Sequence, residues 1–419
     1  MIGWLINLSE QERKTAIEQA AIRCGVPRQA MEKDWWVTLT LKALYQTEYA
    51  PYLLFKGGTS LSKCWKLISR FSEDIDLAID RKVFGYDDDL SRTQIKKLKK
   101  EAAQFTSTKL LDALVHELHN IGVPDGMIKI TPEAISDIQP DKDPQTLFLD
   151  YTSFFEPLEY LPSVVKIEVS ALSLREPFAD CEIGTMLQEY FPNDLYEEQP
   201  FVVRAVEPQR TFLEKIFLLH EDLLRPNTFK AERKSRHFYD LVMLMDTDHA
   251  KAALQDLELY ERIVQHRSLY YRLPQIDYAK HAHDTINFIP GLNTLHRFET
   301  DYRTMREQMI YDDAPAFQEL IQRLRELRWK FRKIKPVHLP YGLSLDDVFN
   351  DALQKASTNL QFDFLNEGAF VSTPVYYNMD IMQPPGPTNE NLAYEVSFTM
   401  YNGKLIPDDI QAIPHPGSF

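Results

Sequence analysis

The 419-residue chain lacks several features that mark particular classes of protein. Its three cysteines, Cys24, Cys64 and Cys181, are scattered without the spacing of metal ligands, so we expect free thiols in a reducing compartment. It has no run of about eighteen apolar residues, the length that a membrane-spanning helix requires. Its first residues form too short and uncharged a segment for a signal peptide. The sequence therefore predicts a cytoplasmic protein without a membrane span.

Positive charge is also scarce. The chain has 47 Lys and Arg against 62 Asp and Glu, a net charge of −15, which argues against a general nucleic-acid binder. The deficit is concentrated in residues 341–419, which contain two Lys, no Arg and ten Asp or Glu. Two basic stretches, 92–100 and 323–335, stand out against this background.

Two short patterns near residue 60 carry the most information. Gly57 and Gly58 follow an apolar run, and a glycine pair that opens a helix can bind phosphate through its backbone N–H groups. Asp74 and Asp76 lie in an apolar stretch, and strand periodicity places their side chains on one face. Two such carboxylates suit Mg²⁺, which shares its oxygen ligands with substrate phosphates. Together the two patterns indicate a nucleotidyl-transfer site.

The spacing between these patterns predicts how the segment folds. Fifteen residues separate Gly58 from Asp74, which is room for one amphipathic helix and a return turn. The expected apolar face of that helix is formed by Leu61, Cys64, Trp65 and Ile68. The turn would bring Asp74 and Asp76 onto a strand beside the one that ends at Phe55.

The same residues carry a family resemblance. Residues 56–61 (KGGTSL) and 70–77 (RFSEDIDL) resemble the signature of AbiEii/AbiGii-type nucleotidyltransferase toxins. This family belongs to the polymerase-β-like superfamily and includes the MenT-type enzymes of mycobacteria. Weaker similarity occurs at residues 31–39, 165–169, 214–216 and 237–241. The resemblance covers about residues 25–245 and fades beyond 250.

The resemblance and the residue patterns together predict an α+β fold. We expect N-terminal helices (1–50), a nucleotidyltransferase core with a mixed sheet and helices (51–206), a mostly α-helical domain (207–338) and an acidic, Pro-rich extension (339–419). Ser9 with Glu12 is a candidate capping box. Predicted strands are 52–56, 74–80, 127–130, 146–151, 164–171 and 201–206, with a small β element near 370–377 and 393–400. Predicted helices are 8–47, 91–122, 208–224, 236–246, 250–272 and 313–335.

The candidate metal ligands are Asp74, Asp76 and Glu168, and the expected ion is Mg²⁺, or Mn²⁺ in its place. The superfamily usually takes a third carboxylate from a neighbouring strand, and the resemblance assigns that role to Glu168. Glu168 lies between apolar residues, where an unpaired carboxylate is costly to bury. The alternative is a structural ion pair between Glu168 and an Arg or Lys.

The candidate nucleotide-binding residues surround the glycine pair. Lys63, Arg70 and Ser72 either hold phosphate or brace the loop, and a structural pair between Arg70 and Glu73 is equally compatible with the sequence. The full predicted set is Gly57, Gly58, Thr59, Ser60, Lys63, Arg70 and Ser72.

Lys215 and Asp240 are the remaining candidate catalytic residues, beside Asp74 and Asp76. The resemblance gives Lys215 a contact to the NTP phosphates, whereas a half-buried helix offers a snorkelling lysine as the alternative. Asp240 would orient Lys215 or help to deprotonate the acceptor hydroxyl. Its alternative is a surface pair with Arg236.

The C-terminal third leaves two questions open. The cations of 323–335 either form a solvated helix face or contact an RNA backbone. The acidic segment 341–419 is either an ordinary extension or an anionic cover that docks on those cations.

The resemblance implies a toxin of a toxin–antitoxin or abortive-infection system. Such an enzyme would transfer nucleotides from NTP to an RNA acceptor, tRNA above all, and a cognate antitoxin would restrain it. Two alternatives stay open: a protein or small-molecule acceptor, and a catalytically silent fold that serves as a binding module.

Overall fold

The computed structural model describes residues 1–87, 90–135, 142–158, 161–225, 231–334, 343–359, 369–383, 386–401 and 404–413. Its α-helices are α1 (Gly3–Ile6), α2 (Glu10–Cys24), α3 (Arg28–Gln46), α4 (Gly57–Lys63), α5 (Arg92–Phe105), α6 (Leu111–Ile121), α7 (Met186–Tyr190), α8 (Pro208–Leu223), α9 (Ser235–Leu244), α10 (Asp248–Gln255), α11 (Leu257–His266), α12 (Leu292–Gln308), α13 (Phe317–Ile334) and α14 (Leu345–Asn359). Its strands are β1 (Leu53–Lys56), β2 (Asp74–Ile79), β3 (Ile128–Pro132), β4 (Gln145–Tyr151), β5 (Val164–Ser170), β6 (Phe178–Ile183), β7 (Phe201–Val206), β8 (Phe370–Gln383), β9 (Gly386–Tyr401) and β10 (Lys404–Ile413). The α+β prediction is confirmed.

A seven-stranded mixed sheet forms the centre of the molecule, with strand order β3-β4-β5-β2-β1-β7-β6. β2 lies between β1, to which it is antiparallel, and β5, to which it is parallel. The predicted adjacency of the strands that end at Phe55 and begin at Asp74 is therefore confirmed. β2 is the fourth of the seven strands and begins at Asp74, so Asp74 and Asp76 both lie on the middle strand of the sheet.

The N-terminal helices pack on this sheet through an aromatic cluster. α2 begins with the capping box predicted at Ser9 and Glu12. On α3, Trp35 and Trp36 are fully buried, and the ring of Trp4 lies 4.5 Å from that of Trp35. Because the buried residues extend around most of α3, the helix crosses the interior instead of lying on the surface.

The predicted helix 91–122 consists of α5 and α6, joined without a break by a π-helical turn at Thr106–Leu110. Its expected apolar stripe is buried: Ile95, Leu98, Ala102 and Phe105 are each at most 8 % exposed. The helix ends at Gly122, whose positive φ of 102° suits glycine.

One hydrophobic cluster runs from Met1 to Phe331, so the N-terminal helices, the central sheet and α8–α13 share a core. A second cluster joins α14 to the three-stranded antiparallel sheet β10-β9-β8. The predicted domain boundaries at 50, 206 and 338 stay predictions.

Several element predictions need correction. α4 ends at Lys63, so of the predicted apolar face only Leu61 lies on the helix, and Cys64, Trp65 and Ile68 follow it, although Ile68 is buried. The predicted helix 250–272 is divided into α10 and α11, since Asp256 interrupts it and caps α11 through Leu259 N. The helix expected from 313 begins at Phe317. Strands β6 and β10 and helices α1, α7, α12 and α14 were not predicted.

None of the helices in the described part of the chain is long and apolar enough to cross a lipid bilayer.

Candidate active site

The strand register places three carboxylates side by side. Asp76 pairs with Glu168 across the parallel strands β2 and β5, and Asp74 pairs with Lys166. Asp74 and Asp76 share a face of β2 because side chains alternate along a strand. The two aspartates and Glu168 therefore converge at the centre of the sheet, and their role as metal ligands stays a prediction.

Asp76 lies beside two other carboxylates. Burial and the neighbouring Glu168 and Asp74 raise the pKa of Asp76 to about 6, against the opposing effect of Lys56. Glu168 also forms an ion pair with Lys166, the alternative considered from the sequence. Within the described ranges no three His, Cys, Asp or Glu residues are already arranged as a metal-binding group. The two aspartates, with Glu168 in the adjacent register position, are a donor set that fits a divalent cation.

The glycine pair approaches these carboxylates closely. Gly57 has φ of +79°, and a Cβ built on it would lie 2.0 Å from Asp76 Oδ2. At Gly58 a Cβ would lie 2.5 Å from the Arg70 guanidinium. Only glycine fits both positions, which explains why the turn from β1 into α4 needs two of them.

Thr59 and Ser72 connect this turn to β2. The Thr59 hydroxyl lies 3.0 Å from Ser72 Oγ and donates to the backbone carbonyl of Asp74. Ser60 is 1 % exposed. Three of the predicted nucleotide-binding side chains thus lie within one tightly packed turn.

Arg70, Lys215 and Asp240 form a buried cluster. Arg70 makes a two-pronged contact with Asp240, with nitrogen–oxygen distances of 2.7 and 2.8 Å. The Lys215 amine lies 2.8 Å from Asp240 Oδ2. Asp240 is therefore in a position to orient Lys215. The contacts of Asp240 with Arg70 and Lys215 take the place of the alternative pairs Asp240–Arg236 and Arg70–Glu73.

The charges in this cluster follow from burial and proximity. Burial alone would raise the pKa of Asp240, but Arg70 and Lys215 together hold it at about 2. Burial, with Arg70 nearby, lowers the pKa of Lys215 from its usual value. Asp240 is therefore ionised and paired with both Arg70 and Lys215, which favours an orienting role over that of a general base.

Arg236 links this cluster to the acidic pair. Its guanidinium lies 3.4 Å from Asp74 Oδ2, and the charges of Asp74, Asp76 and Asp240 raise its pKa. Next to it, burial lowers the pKa of His237 well below the usual value, so its imidazole is neutral. The chain thus brings Asp74 and Lys215 together around Arg236 and Asp240.

Two buried ion pairs hold α3 against the site. Lys33 lies 2.6 Å from Glu73, and Lys63 lies 2.6 Å from Asp34. Lys63 is 8 % exposed, so in this structure it braces the turn.

Lys33, Asp34 and Lys56 were not predicted to have a role in the site, and Arg236 was considered only as a surface partner of Asp240. Lys56 pairs in register with Asp76, and antiparallel pairing of the two predicted strands would have indicated it. Lys33 and Asp34 lie inside the apolar run of α3, and buried charges require partners, so their position in the sequence could have indicated buried ion pairs. For Arg236 the only signal was its place in the motif that contains Asp240.

Three of the cations of α13 pair with the acidic extension. Arg325, Arg328 and Arg332 are at most 9 % exposed, and their carboxylate partners are Asp408 and Asp409 on β10. The expectation of a solvated helix face is wrong for these three arginines, because the acidic extension docks on them. Their burial also removes them as an exposed RNA contact.

Comparison with known proteins agrees with this geometry. The family model described as nucleotidyl transferase AbiEii toxin, type IV toxin–antitoxin system, matches residues 40–323, about two thirds of the chain. The chain belongs to the AbiEii toxin family. A comparison with curated proteins found no match.

The AbiEii match covers the central sheet and most of the helical half. It begins within α3, includes the glycine pair, all three carboxylates, Lys215 and Asp240, and ends within α13. The extension that carries β8–β10 lies outside it. Membership implies a nucleotidyltransferase toxin of a type IV toxin–antitoxin system, with a nucleotide substrate and a cognate antitoxin.

Proposed function

We propose that the protein is a Mg²⁺-dependent nucleotidyltransferase that transfers a nucleotide from NTP to an RNA acceptor, most specifically the 3′ end of tRNA. The observation that carries the proposal is the placement of Asp74 and Asp76 against Glu168, with Gly57 closely packed on Asp76. The toxin would act in the cytoplasm, in a toxin–antitoxin or abortive-infection system, until its antitoxin restrains it.

In the proposed reaction the acceptor hydroxyl attacks the α-phosphorus of the NTP. A new phosphodiester bond forms, the bond between the α- and β-phosphates breaks, and pyrophosphate leaves. Bound Mg²⁺ would neutralise the phosphate charge, and Asp74, Asp76 and Glu168 would hold it. Mn²⁺ would fit the same oxygen ligands.

The remaining residues bind and orient in this proposal. The backbone N–H groups at Gly57 and Gly58 face the phosphates, and the packing of Thr59 and Ser72 keeps the turn in place. Lys215 contacts the phosphates, held in position by Asp240. Arg70 supports Asp240 from its other side and adds positive charge to the site.

The experiment is a transfer assay. Purified protein is incubated with each labelled NTP in turn, Mg²⁺ and total RNA, and compared with the variants Asp74→Ala and Asp76→Ala. Loss of the metal ligands should abolish labelling of RNA, because charge stabilisation of several kcal/mol is removed. The control is Asp150→Ala, which removes an exposed carboxylate on β4.

The same assay in cell lysate identifies the acceptor. If the label appears in protein or in a small molecule and not in RNA, the proposed RNA acceptor is wrong, whereas the proposed nucleotidyl-transfer reaction is retained. Undiminished transfer by a folded Asp74→Ala, Asp76→Ala double variant would refute the site, and absence of transfer by the wild type under all conditions would support the silent binding module.

A further inference from the structure

A cavity of about 400 Å³ lies beyond the carboxyl end of β2. Its walls come from three places: the 3₁₀ turn Arg81–Phe84, the segment 174–176 that follows β5, and helix α11 with the turn after it. Four cations line it, Arg81, Lys82, Arg175 and Arg262, against two acids, Asp80 and Glu176. In an acidic protein this local excess of positive charge is unusual.

Two of the four cations of this cavity, Arg81 and Arg175, are held in place by the surrounding structure. Asp80 is 4 % exposed and its carboxylate is occupied, since it lies 2.7 Å from the Arg175 guanidinium and accepts from Lys82 N at 3.0 Å. Arg81 is 6 % exposed, lies 4.4 Å above the ring of Tyr270 and donates to its hydroxyl. Asp80 therefore positions the Arg175 guanidinium and Tyr270 positions that of Arg81, and this fixed arrangement lowers the entropy cost of binding an anion.

His266 forms part of the wall. It is 8 % exposed and stacks on Tyr270, with ring centroids 4.5 Å apart. Burial, with Arg81 nearby, lowers its pKa to about 3, so the imidazole is neutral. Among the described residues its Nε2 has no hydrogen-bond partner, an unusual condition for a buried polar atom.

Glu214 lies near both this cavity and the proposed metal ligands. Lys56 interacts electrostatically with Asp76 and with Glu214, and Glu214 is also close enough to influence the pKa of His266 in the cavity wall. Asp80 lies four residues beyond Asp76, about 13 Å along an extended strand. If the phosphates of an NTP lie at Gly57, only its uncharged base or sugar could reach the cavity. A polynucleotide has a phosphate at every nucleotide, so it could place a phosphate there.

Further cations lie on the helix that packs against one wall of the cavity. The turn Arg81–Phe84 packs against α5, whose lysines 96, 97 and 100 are exposed. Lys82 and Arg262 are exposed at the mouth of the cavity, where Leu269 is 42 % exposed. This combination of fixed charge inside and further cations along one side suits a chain of phosphates.

We propose that this cavity binds a backbone phosphate of the RNA acceptor upstream of its reacting end. The inference rests on the proposed function, since it assigns the RNA a path that leads to the acidic pair. It gives the enzyme an acceptor contact separate from the phosphates of the NTP.

The test is binding of total tRNA to the full-length protein without NTP or turnover. The double variant Lys82→Glu, Arg262→Glu should weaken binding by about tenfold or more and reduce the salt dependence, because two cations that would neutralise phosphate charge at the cavity are replaced by acids. The matched control is Lys129→Glu, Lys404→Glu, which makes the same change of net charge at exposed positions elsewhere. The milder Arg262→Gln and circular dichroism guard against misfolding.

The outcomes separate the two proposals. Equal tRNA binding by the cavity and control variants would overturn the inference. So would a loss of ATP binding by the cavity variant with tRNA binding unchanged, because the cavity would then hold the NTP. A loss of tRNA binding by the cavity variant and not by the control variant supports the inference, even where the transfer assay detects no product. The proposed function is tested separately, by the transfer assay with the Asp74 and Asp76 variants.

Discussion

Asp240 shows how a single residue supports both the fold and the site. Its carboxylate is fully buried between Arg70 and Lys215, which belong to distant parts of the chain. Removing one member of a buried ionic cluster leaves the others without a partner. Asp240 therefore holds together the turn before β2 and helix α8 as well as orienting Lys215.

Asp240→Asn should lower the free energy of unfolding by about 3–5 kcal/mol and abolish transfer. Asp150→Asn, an exposed change of the same type, should alter neither. Urea unfolding at neutral pH measures the difference, and a loss of stability equal in the two variants would contradict the assigned role.

The pKa of Asp240 also predicts a pH dependence of stability. Its folded value of about 2 lies below the unfolded value of about 3.9, so ionised Asp240 stabilises the fold above pH about 4. That contribution is lost as the pH falls from about 4 towards 2. Acid unfolding of the wild type should show this loss, and Asp240→Asn should lack it; parallel acid-unfolding curves for the two proteins would contradict the prediction.

At the scale of elements, the turn from β1 to α4 decides where Asp76 lies. The strand becomes a helix without an intervening loop, which Gly57 permits through its positive φ. Any side chain there would displace the carboxylate that it touches.

Gly57→Ala should therefore abolish transfer while the protein stays folded, because its Cβ would collide with Asp76. Gly126→Ala is the matched control: Gly126 also has a positive φ, of +80°, but nothing lies within 4 Å of its Cβ position. The control should lose only about 1–2 kcal/mol of stability from backbone strain and keep its activity. A transfer assay with folded protein decides, and retained activity in Gly57→Ala would show that the close approach has no role.

At the scale of the whole molecule, the acidic extension is an integral part of the structure. Arg328 and Arg332 lie 2.5 and 2.9 Å from Asp408 and Asp409, and Arg332 also donates to the carbonyl of His283 at 2.7 Å. Because these contacts are buried, the extension and α13 stabilise each other.

Asp408→Asn combined with Asp409→Asn should destabilise the protein by about 3–5 kcal/mol, since three buried arginines lose their carboxylates. Asp246→Asn is the control: it removes the partner of Arg323 and Lys330 on the same helix, but Asp246 is 62 % exposed, so about 0–1 kcal/mol is expected. Urea unfolding compares the variants. Equal stability, together with stronger tRNA binding by the double variant, would show that the extension is a removable cover.

Local chemistry made part of this molecule predictable. Strand periodicity set Asp74 and Asp76 on one face, and a glycine pair after an apolar run marked the turn that touches them. The capping box at Ser9 and the apolar stripe of α5 follow from contacts three or four residues apart. Such features depend on near neighbours, so the sequence alone was enough.

Only the tertiary structure decided which charges meet. Arg70 and Asp240 are 170 residues apart, and Arg328 and Asp408 are 80 apart. Each basic side chain had several possible acidic partners, and a surface or buried position changes the energy of an ion pair from negligible to decisive. The sequence determined the acidic pair and its turn, whereas long-range packing buried the arginines of α13 and left Lys82 and Arg262 exposed beside the cavity beyond β2.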